Sequence, residues 1–287
     1  MSTLQVNNLK IELRKDKNLI VDDISFELNA GSSLTLLGQS GCGKTMACRA
    51  LMGLLDDKKF HIAGSVKFHE TELLHLPARE RRKIYGKKMA FIPQNPMTAF
   101  DPSVRIGRQM DETIKLHMNV GRKRRKEMIR NSLDRAGLEA IERVVGSYPH
   151  ELSGGMLQRV LIAIAISTDA EIVIADEPTT ALDVVHCNEI VDEFIKLKEA
   201  GMAVLFVTHD FAAAIRLGGD VLVMKEGKTV EQGNMKDSLS GPWEMIMGYL
   251  PMRLQGMQAG IRNHSMPWRK SRTWVLQDPG PDKIFPF

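Results

Sequence analysis

Gly38-Gln39-Ser40-Gly41-Cys42-Gly43-Lys44-Thr45 fits the pattern GxxxxGK[ST] in full. In that pattern the glycines let backbone N–H groups curl around phosphates, Lys44 carries an ammonium to the terminal phosphates, and Thr45 offers a hydroxyl to magnesium. A plain glycine-rich turn would have no need of lysine and threonine in this register. Further along, Ile172-Val173-Ile174-Ala175-Asp176-Glu177 is an apolar run ending in two adjacent carboxylates. The first can hold magnesium through water and the second can orient an attacking water. Together the two segments point to nucleotide hydrolysis. A third segment, Leu152-Ser153-Gly154-Gly155-Met156-Leu157-Gln158-Arg159, places a hydroxyl and two glycines at a helix start, which makes a second anion-binding lip. The phosphate loop already has one cradle, so a spare lip makes sense if it closes on a nucleotide held by another subunit.

These residues need a frame. Alternating apolar positions predict strands over about 4–13 and 20–28. Gly31 precedes a short apolar run, Leu34 to Leu37, which feeds the glycine-rich loop and a helix from Lys44 to about Leu54. Glu171 to Ala175 and Ala203 to Thr208 read as buried parallel strands, each followed by a polar tip. Residues 101–150 turn helix-forming and charged, including the run Arg122-Lys123-Arg124-Arg125-Lys126, and read as a mainly helical insert. After His209 a helix, a hairpin around Lys225-Glu226-Gly227-Lys228 and a further polar helix carry the compact part to about residue 250. Residues 251–287 hold five prolines and Trp268 and Trp274 with little periodicity, and read as a loosely ordered tail or as one that docks on its own domain or on a partner.

Composition bounds the remaining choices. The chain has 287 residues, 43% of them hydrophobic and 26% charged, with a net charge of +4. That describes a globular protein with room for a sizeable core, and the charge is too slight and dispersed to imply nucleic acid. Val160 to Ile166 is the purest apolar run, well short of the roughly 20 residues of a membrane span, and Met1 to Lys10 lacks a secretory pattern. Cys42, Cys48 and Cys187 have no paired metal spacing and read as reduced, buried thiols. Cys42 lies inside the phosphate loop, where a helix amino terminus can lower a thiol pKa; the plainer reading is a small residue packed in a tight turn.

The three segments, in this order, resemble the ATP-binding-cassette (ABC) ATPases, over roughly residues 3–245. The resemblance implies an α/β fold: a P-loop NTPase core with a small antiparallel β region and a helical subdomain at about 101–165, the whole ATPase domain occupying 1–250. It implies ATP and Mg2+ as cofactors, with Gly38 to Thr45 on the phosphates and Thr45 and Asp176 at the metal. Glu177 resembles the catalytic glutamate. Gln94, after the strand-like Met89-Ala90-Phe91-Ile92, looks like the glutamine of the loop between core and helical subdomain, near both metal and γ-phosphate. His209 stands where the family's switch histidine follows its strand. Ser153, Gly154 and Gly155 look like the LSGG element that reaches the γ-phosphate across a head-to-tail dimer, and Asp183 like the aspartate of the loop crossing to the partner. Taken alone, Gln94 is a polar loop residue, His209 a structural histidine and Asp183 a helix cap. The family usually stacks an aromatic on adenine, yet Leu9 to Ser25 contains no Phe, Tyr or Trp, which leaves the stem of Lys15 or a neighbour to cover the base.

Within that family, Gln94-Asn95-Pro96-Met97-Thr98-Ala99-Phe100-Asp101-Pro102, Tyr148-Pro149-His150-Glu151, and Pro178-Thr179-Thr180-Ala181-Leu182-Asp183 look like the oligopeptide, dipeptide and nickel uptake branch; Ser153 to Arg159 with Asp183-Val184-Val185 lean to nickel import. The partners implied are a second cassette, identical or related, two membrane permeases and, through them, an external solute-binding protein, with the chain peripheral on the cytoplasmic face of the membrane. A non-transport ATPase, such as the accessory of a phosphonate-degrading lyase, shares the motif set. The run Arg122 to Lys126 reads as a solvated helical face or as a contact for anionic lipid; nucleic acid is disfavoured because no aromatics interleave it.

Overall fold

The computed structural model describes residues 2–180 and 184–235. Strands β1 (Leu4–Leu13), β2 (Leu19–Leu28), β4 (Phe60–Phe68) and the short β5 (Thr71–Glu72) form an antiparallel sheet in the order β2-β1-β4-β5. A second sheet runs β10-β9-β3-β8-β7-β6, from β3 (Ser33–Gly38), β6 (Met89–Ile92), β7 (Ile172–Asp176), β8 (Ala203–Thr208), β9 (Asp220–Lys225) and β10 (Lys228–Asn234). All its neighbours pair in parallel except β9 with β10. That last pair is a hairpin whose two turn residues, Glu226 and Gly227, both have positive φ, the twist a tight two-residue turn needs.

The apolar runs read as strands are continuous because the parallel sheet is covered on both faces. On β7, Ile172 and Ile174 enter one core while Val173 and Ala175 enter the other; on β8, Leu205 and Val207 part in the same way from Val204 and Phe206. The first core joins this sheet to the antiparallel one and to α1 (Lys44–Leu51) through Leu4, Ile11, Phe26 and Cys48. The second packs the sheet against α6 (Gly154–Ser167) and α7 (Val184–Glu199), and through them gathers Ile106, Met110 and Ile114 of α3 (Ile106–His117), Ile129 and Leu133 of α4 (Arg122–Arg135) and Val144 of α5 (Ile141–Gly146). Each period of side chains therefore has a place to be buried, which is what makes the layered arrangement stable.

Local chemistry sets the boundaries. Helix α1 stops three residues short of the sequence expectation because Gly53 takes a left-handed φ of 61° and its N–H, with that of Leu54, turns back to the Ala50 and Arg49 carbonyls. The Ser153 hydroxyl accepts the Met156 N–H at 3.3 Å to start α6, and Asp210 caps α8 (Phe211–Leu217) through the Ala212 and Ala213 N–H groups. Residues 55–88 carried no prediction, yet they supply β4, β5 and α2 (Ala78–Ile84). The expected polar helix up to residue 250 and the tail 251–287 lie outside the described residues. Cys187 is half-buried, not buried like Cys42 and Cys48, its thiol donating to the Thr179 carbonyl at 3.4 Å, and none of the three forms a disulfide.

Candidate functional site

Because β3, β8, β7 and β6 are adjacent and parallel, the loops leaving their carboxyl ends converge on one edge of the sheet. Gly38 ends β3, Asp176 ends β7, His209 follows β8 and Gln94 follows β6. The phosphate loop spans from Gly38 to the amino end of α1. Its glycines are there for space and for backbone angle: a Cβ on Gly38 would collide with the Met224 carbonyl of β9, and Gly43, at φ 105°, would meet the Ile20 carbonyl. Cys42 packs against Gly38 in this turn. The loop borders a cavity of about 240 Å3 lined by Ser40, Gly41, Gly43 to Met46, Ile20, Gln94 and Glu177.

Charges at this edge are held by one another. The Lys44 ammonium, 3% exposed, donates to the Gly38 carbonyl at 2.7 Å and the Gln39 carbonyl at 3.0 Å and stands 3.6 Å from the Glu177 carboxylate. Thr45 donates to Asp176 at 2.9 Å. Burial pushes the Asp176 carboxyl above its usual range; the Thr45 hydrogen bond opposes this and the neighbouring Glu177 adds to it. Glu177 itself sits at a left-handed φ of 46°, uncommon for a side-chain-bearing residue, with its N–H fixed on the Val207 carbonyl at 2.9 Å. Its Oε2 accepts from Gln94 at 3.2 Å and from Thr180 at 3.1 Å and lies 3.3 Å from His209 Nδ1. The half-exposed His209 ring and Gln94 thus flank one oxygen of Glu177 and Lys44 the other.

The chemistry of this donor set fits a nucleotide with magnesium: a cationic, N–H-rich loop next to a hydroxyl–carboxylate pair, with a second carboxylate facing the same space. Sequence reasoning singled out every one of those groups. It did not assign Thr180, whose hydroxyl anchors Glu177, or Ile20, which supplies the apolar wall where an aromatic was sought. Thr180 stands in the stretch after the paired carboxylates without a pattern position of its own, and Ile20 has no signal beyond its place in β2.

Ser153 and Gly155 lie elsewhere. With Met156, Arg159, His186 and Glu189 they border a separate cavity of about 530 Å3 that shares no lining residue with the first. Ser153 and Gly154 are exposed. Arg159 fixes this corner, donating to the Gly137 carbonyl at 2.7 Å and to Glu189 of α7 at 2.8 Å. Asp183 lies outside the described residues.

The ABC transporter family model matches residues 21–180. The chain belongs to the ABC transporter family. It is an ATP-hydrolysing translocase subunit, and the family's ATP and Mg2+ site comes with that membership. The metal-staphylopine import system ATP-binding protein CntD of Staphylococcus aureus is 35% identical over 251 residues, 87% of this chain and 92% of the relative. The oligopeptide transport ATP-binding protein OppD of Escherichia coli is 40% identical over 223 residues, covering 77% and 66%, and the dipeptide transport ATP-binding protein DppD of Haemophilus influenzae 37% over 245 residues, covering 84% and 74%. Among solved structures, the dimeric structure of a bacterial ABC transporter cassette superposes with a TM-score of 0.71 at 25% identity, over 81% of this chain and 98% of that one. The cbiO1 protein of Clostridium perfringens gives 0.73 over 91% and 99%; at 22% identity it speaks for the fold alone. The α/β core, small antiparallel sheet and helical elements of this ABC ATPase are therefore those of known cassettes. Its relatives are named for both metal and peptide import, so the expectation of nickel narrows no further. Among the described residues no helix is long and apolar enough to cross a membrane.

Proposed function

We propose that the chain drives an importer for peptides or a metal, as one of two cassettes beneath two permeases on the cytoplasmic face of the membrane. The relatives named for metal-staphylopine, dipeptide and oligopeptide systems support the cargo classes. In this reading residues 1–250 are the ATPase domain, with the helical subdomain at about 101–165, and 251–287 a carboxy-terminal tail. An external solute-binding protein delivers cargo to the permeases.

The observation that carries the mechanism is the division of labour between two cavities of one chain. The Gly38–Thr45 loop and Lys44 hold the β- and γ-phosphates, and Thr45 and Asp176, already 2.9 Å apart, hold magnesium together with Gln94. The metal supplies neutralisation of phosphate charge. Glu177 positions water for in-line attack on the γ-phosphorus, its Oε2 held by Thr180, while Gln94 and His209, beside the same oxygen, report on the γ-phosphate. Ser153 and Gly154, both exposed, and the half-buried Gly155 serve the nucleotide of the opposing cassette, since Ser153 and Gly155 border a cavity that shares no residue with that of Lys44, and Asp183 crosses the same interface. Hydrolysis removes the bridging phosphate, the pair opens, and the loop around Gln94 passes the movement to the permeases.

Affinity co-purification from native membranes, with mass spectrometry of partners and an ATPase assay of the recovered complex, tests this. Two permeases and a second cassette are expected. Recovery of soluble enzyme subunits in their place would overturn the importer reading.

A further inference from the structure

The basic run of the sequence is not simply a solvated face. Arg125 turns inward, 12% exposed, and holds Asp111 of α3 through two hydrogen bonds of 2.7 and 3.1 Å. That bridge fastens α4 to α3 and draws the Asp111 carboxyl below its usual range. It also leaves Arg122, Lys126 and Arg130, four residues apart on one helical face, directed into a single cleft between α3, α4 and α5. Arg108 of α3 completes the cationic lining. The floor is apolar, made by Ile129 and Val145, and it is tight because Gly107 lets α3 approach α5 so closely that a Cβ there would collide with Val145. The cleft measures about 340 Å3, enough for a small molecule.

Four cations and two carboxylates face this space. Of the carboxylates, Asp111 is already neutralised by Arg125. Glu142 is bound to Arg130 at 2.7 Å, but both ends are more than half exposed, a pairing of little energetic weight that a stronger anion displaces. The same holds for Arg108, tied to Glu112 on the surface. Arg122 and Lys126 have no ion-pair partner among the described residues. The backbone adds to the field: α4 begins at Arg122, and Gly121 before it supplies no side-chain cap to the first N–H groups.

We propose that this cleft binds a multivalent, phosphate-bearing anion, at a site that shares no residue with the ATP cavity. Phosphate oxygens engage Arg122 and Lys126, with Arg108 and Arg130 closing from either side, and the apolar floor takes the carbon body of the ligand. The phosphate belongs either to a soluble metabolite or to a lipid headgroup, and the ligand would clamp α3, α4 and α5 together.

The test uses the full chain with Lys44→Ala, which weakens phosphate capture at the nucleotide loop. Inorganic phosphate is titrated calorimetrically, and co-sedimentation is measured with phosphatidylcholine vesicles with and without phosphatidic acid. Two charge-reversal pairs are compared: Arg122→Glu with Lys126→Glu inside the cleft, and Lys123→Glu with Arg124→Glu on the outer face of the same helix. The two pairs change the net charge equally. Saturable binding of at least one probe is expected, weakened at least about tenfold by the inner pair and less than about twofold by the outer. Binding of phosphate in solution identifies a soluble ligand, and binding of the acidic vesicles alone identifies a headgroup. No saturable binding of either probe, or equal loss in both pairs, overturns the proposal. On the otherwise native chain the inner pair leaves basal ATP hydrolysis unchanged, which shows that the fold is intact.

Discussion

Replacing Glu177 by glutamine separates what the site does for catalysis from what it does for stability. The amide keeps the size of the side chain and its reach to Gln94 and Thr180 but removes the charge facing Lys44. At 3.6 Å and an effective dielectric constant of about 20, the gross Lys44–Glu177 attraction is about 5 kcal/mol. Holding a carboxylate that is only 9% exposed out of water costs several kcal/mol in the opposite direction. The ammonium retains the Gly38 and Gln39 carbonyls in the variant, so it is not stranded. The two terms nearly cancel, and the unliganded protein should change by about 1 kcal/mol or less, about 2–4 °C in Tm for a domain of this size. Turnover has no such offset. Removing a group that orients and deprotonates water lowers the rate about 10^2–10^4-fold, or about 3–5 kcal/mol of barrier. Single-turnover hydrolysis of labelled ATP with magnesium, run beside thermal unfolding, reads both quantities. Turnover within about tenfold of wild type would refute the role given to Glu177.

Ser153→Arg removes the cap of α6 and fills the exposed lip: ATP binding to the monomer is expected to persist and turnover to vanish, with a Tm loss of about 2–4 °C, measured by nucleotide titration and ATPase assay. Asp176→Asn tests the buried carboxyl. Because the folded-state pKa is raised, protonation favours folding; that contribution is complete below the ordinary value of 3.8 and disappears as pH rises through the folded-state value. Unliganded Asp176→Asn should therefore unfold at or above the wild-type temperature at neutral pH, the gap closing as pH falls through the acid range, and it should lose the added stability that magnesium and ATP give the wild type. Gly64→Ala places a Cβ against the Asn7 and Asn8 carbonyls at φ 104°, and should cost about 2–3 kcal/mol, seen as a Tm fall of about 5–10 °C.

The edge formed by the glycine-rich loop and β7 was legible because its chemistry is contiguous: a loop that must present N–H groups needs several glycines within a few residues, here Gly38, Gly41 and Gly43, and buried parallel strands need unbroken apolar runs. Residues 55–88 were silent for the opposite reason. On β4 only Val66 and Phe68 are buried, and Gly64 interrupts the alternation where β1 bulges between Asn7 and Lys10. Helix α2 is short and chiefly charged, held from outside its own pattern by the Tyr85 hydroxyl on the Leu51 carbonyl. Thr180 and Ile20 were silent because a residue that positions another, or supplies a wall, carries no motif. The run from Arg122 to Lys126 gave away its charge but not its direction; that Arg125 points in and Arg122 and Lys126 share a cleft depends on helical phase and on where Asp111 stands.

The resting contacts of Lys44 have a thermodynamic corollary. Its ammonium is already satisfied by two carbonyls and a carboxylate, so at the proposed site nucleotide arrival would be a substitution reaction at that nitrogen and not the quenching of a bare charge. Enthalpy gained from phosphate would be set against enthalpy surrendered from the loop. Affinity would then rest on many modest exchanges around the loop, and the same partners would stand within reach to reclaim the cation when the product leaves.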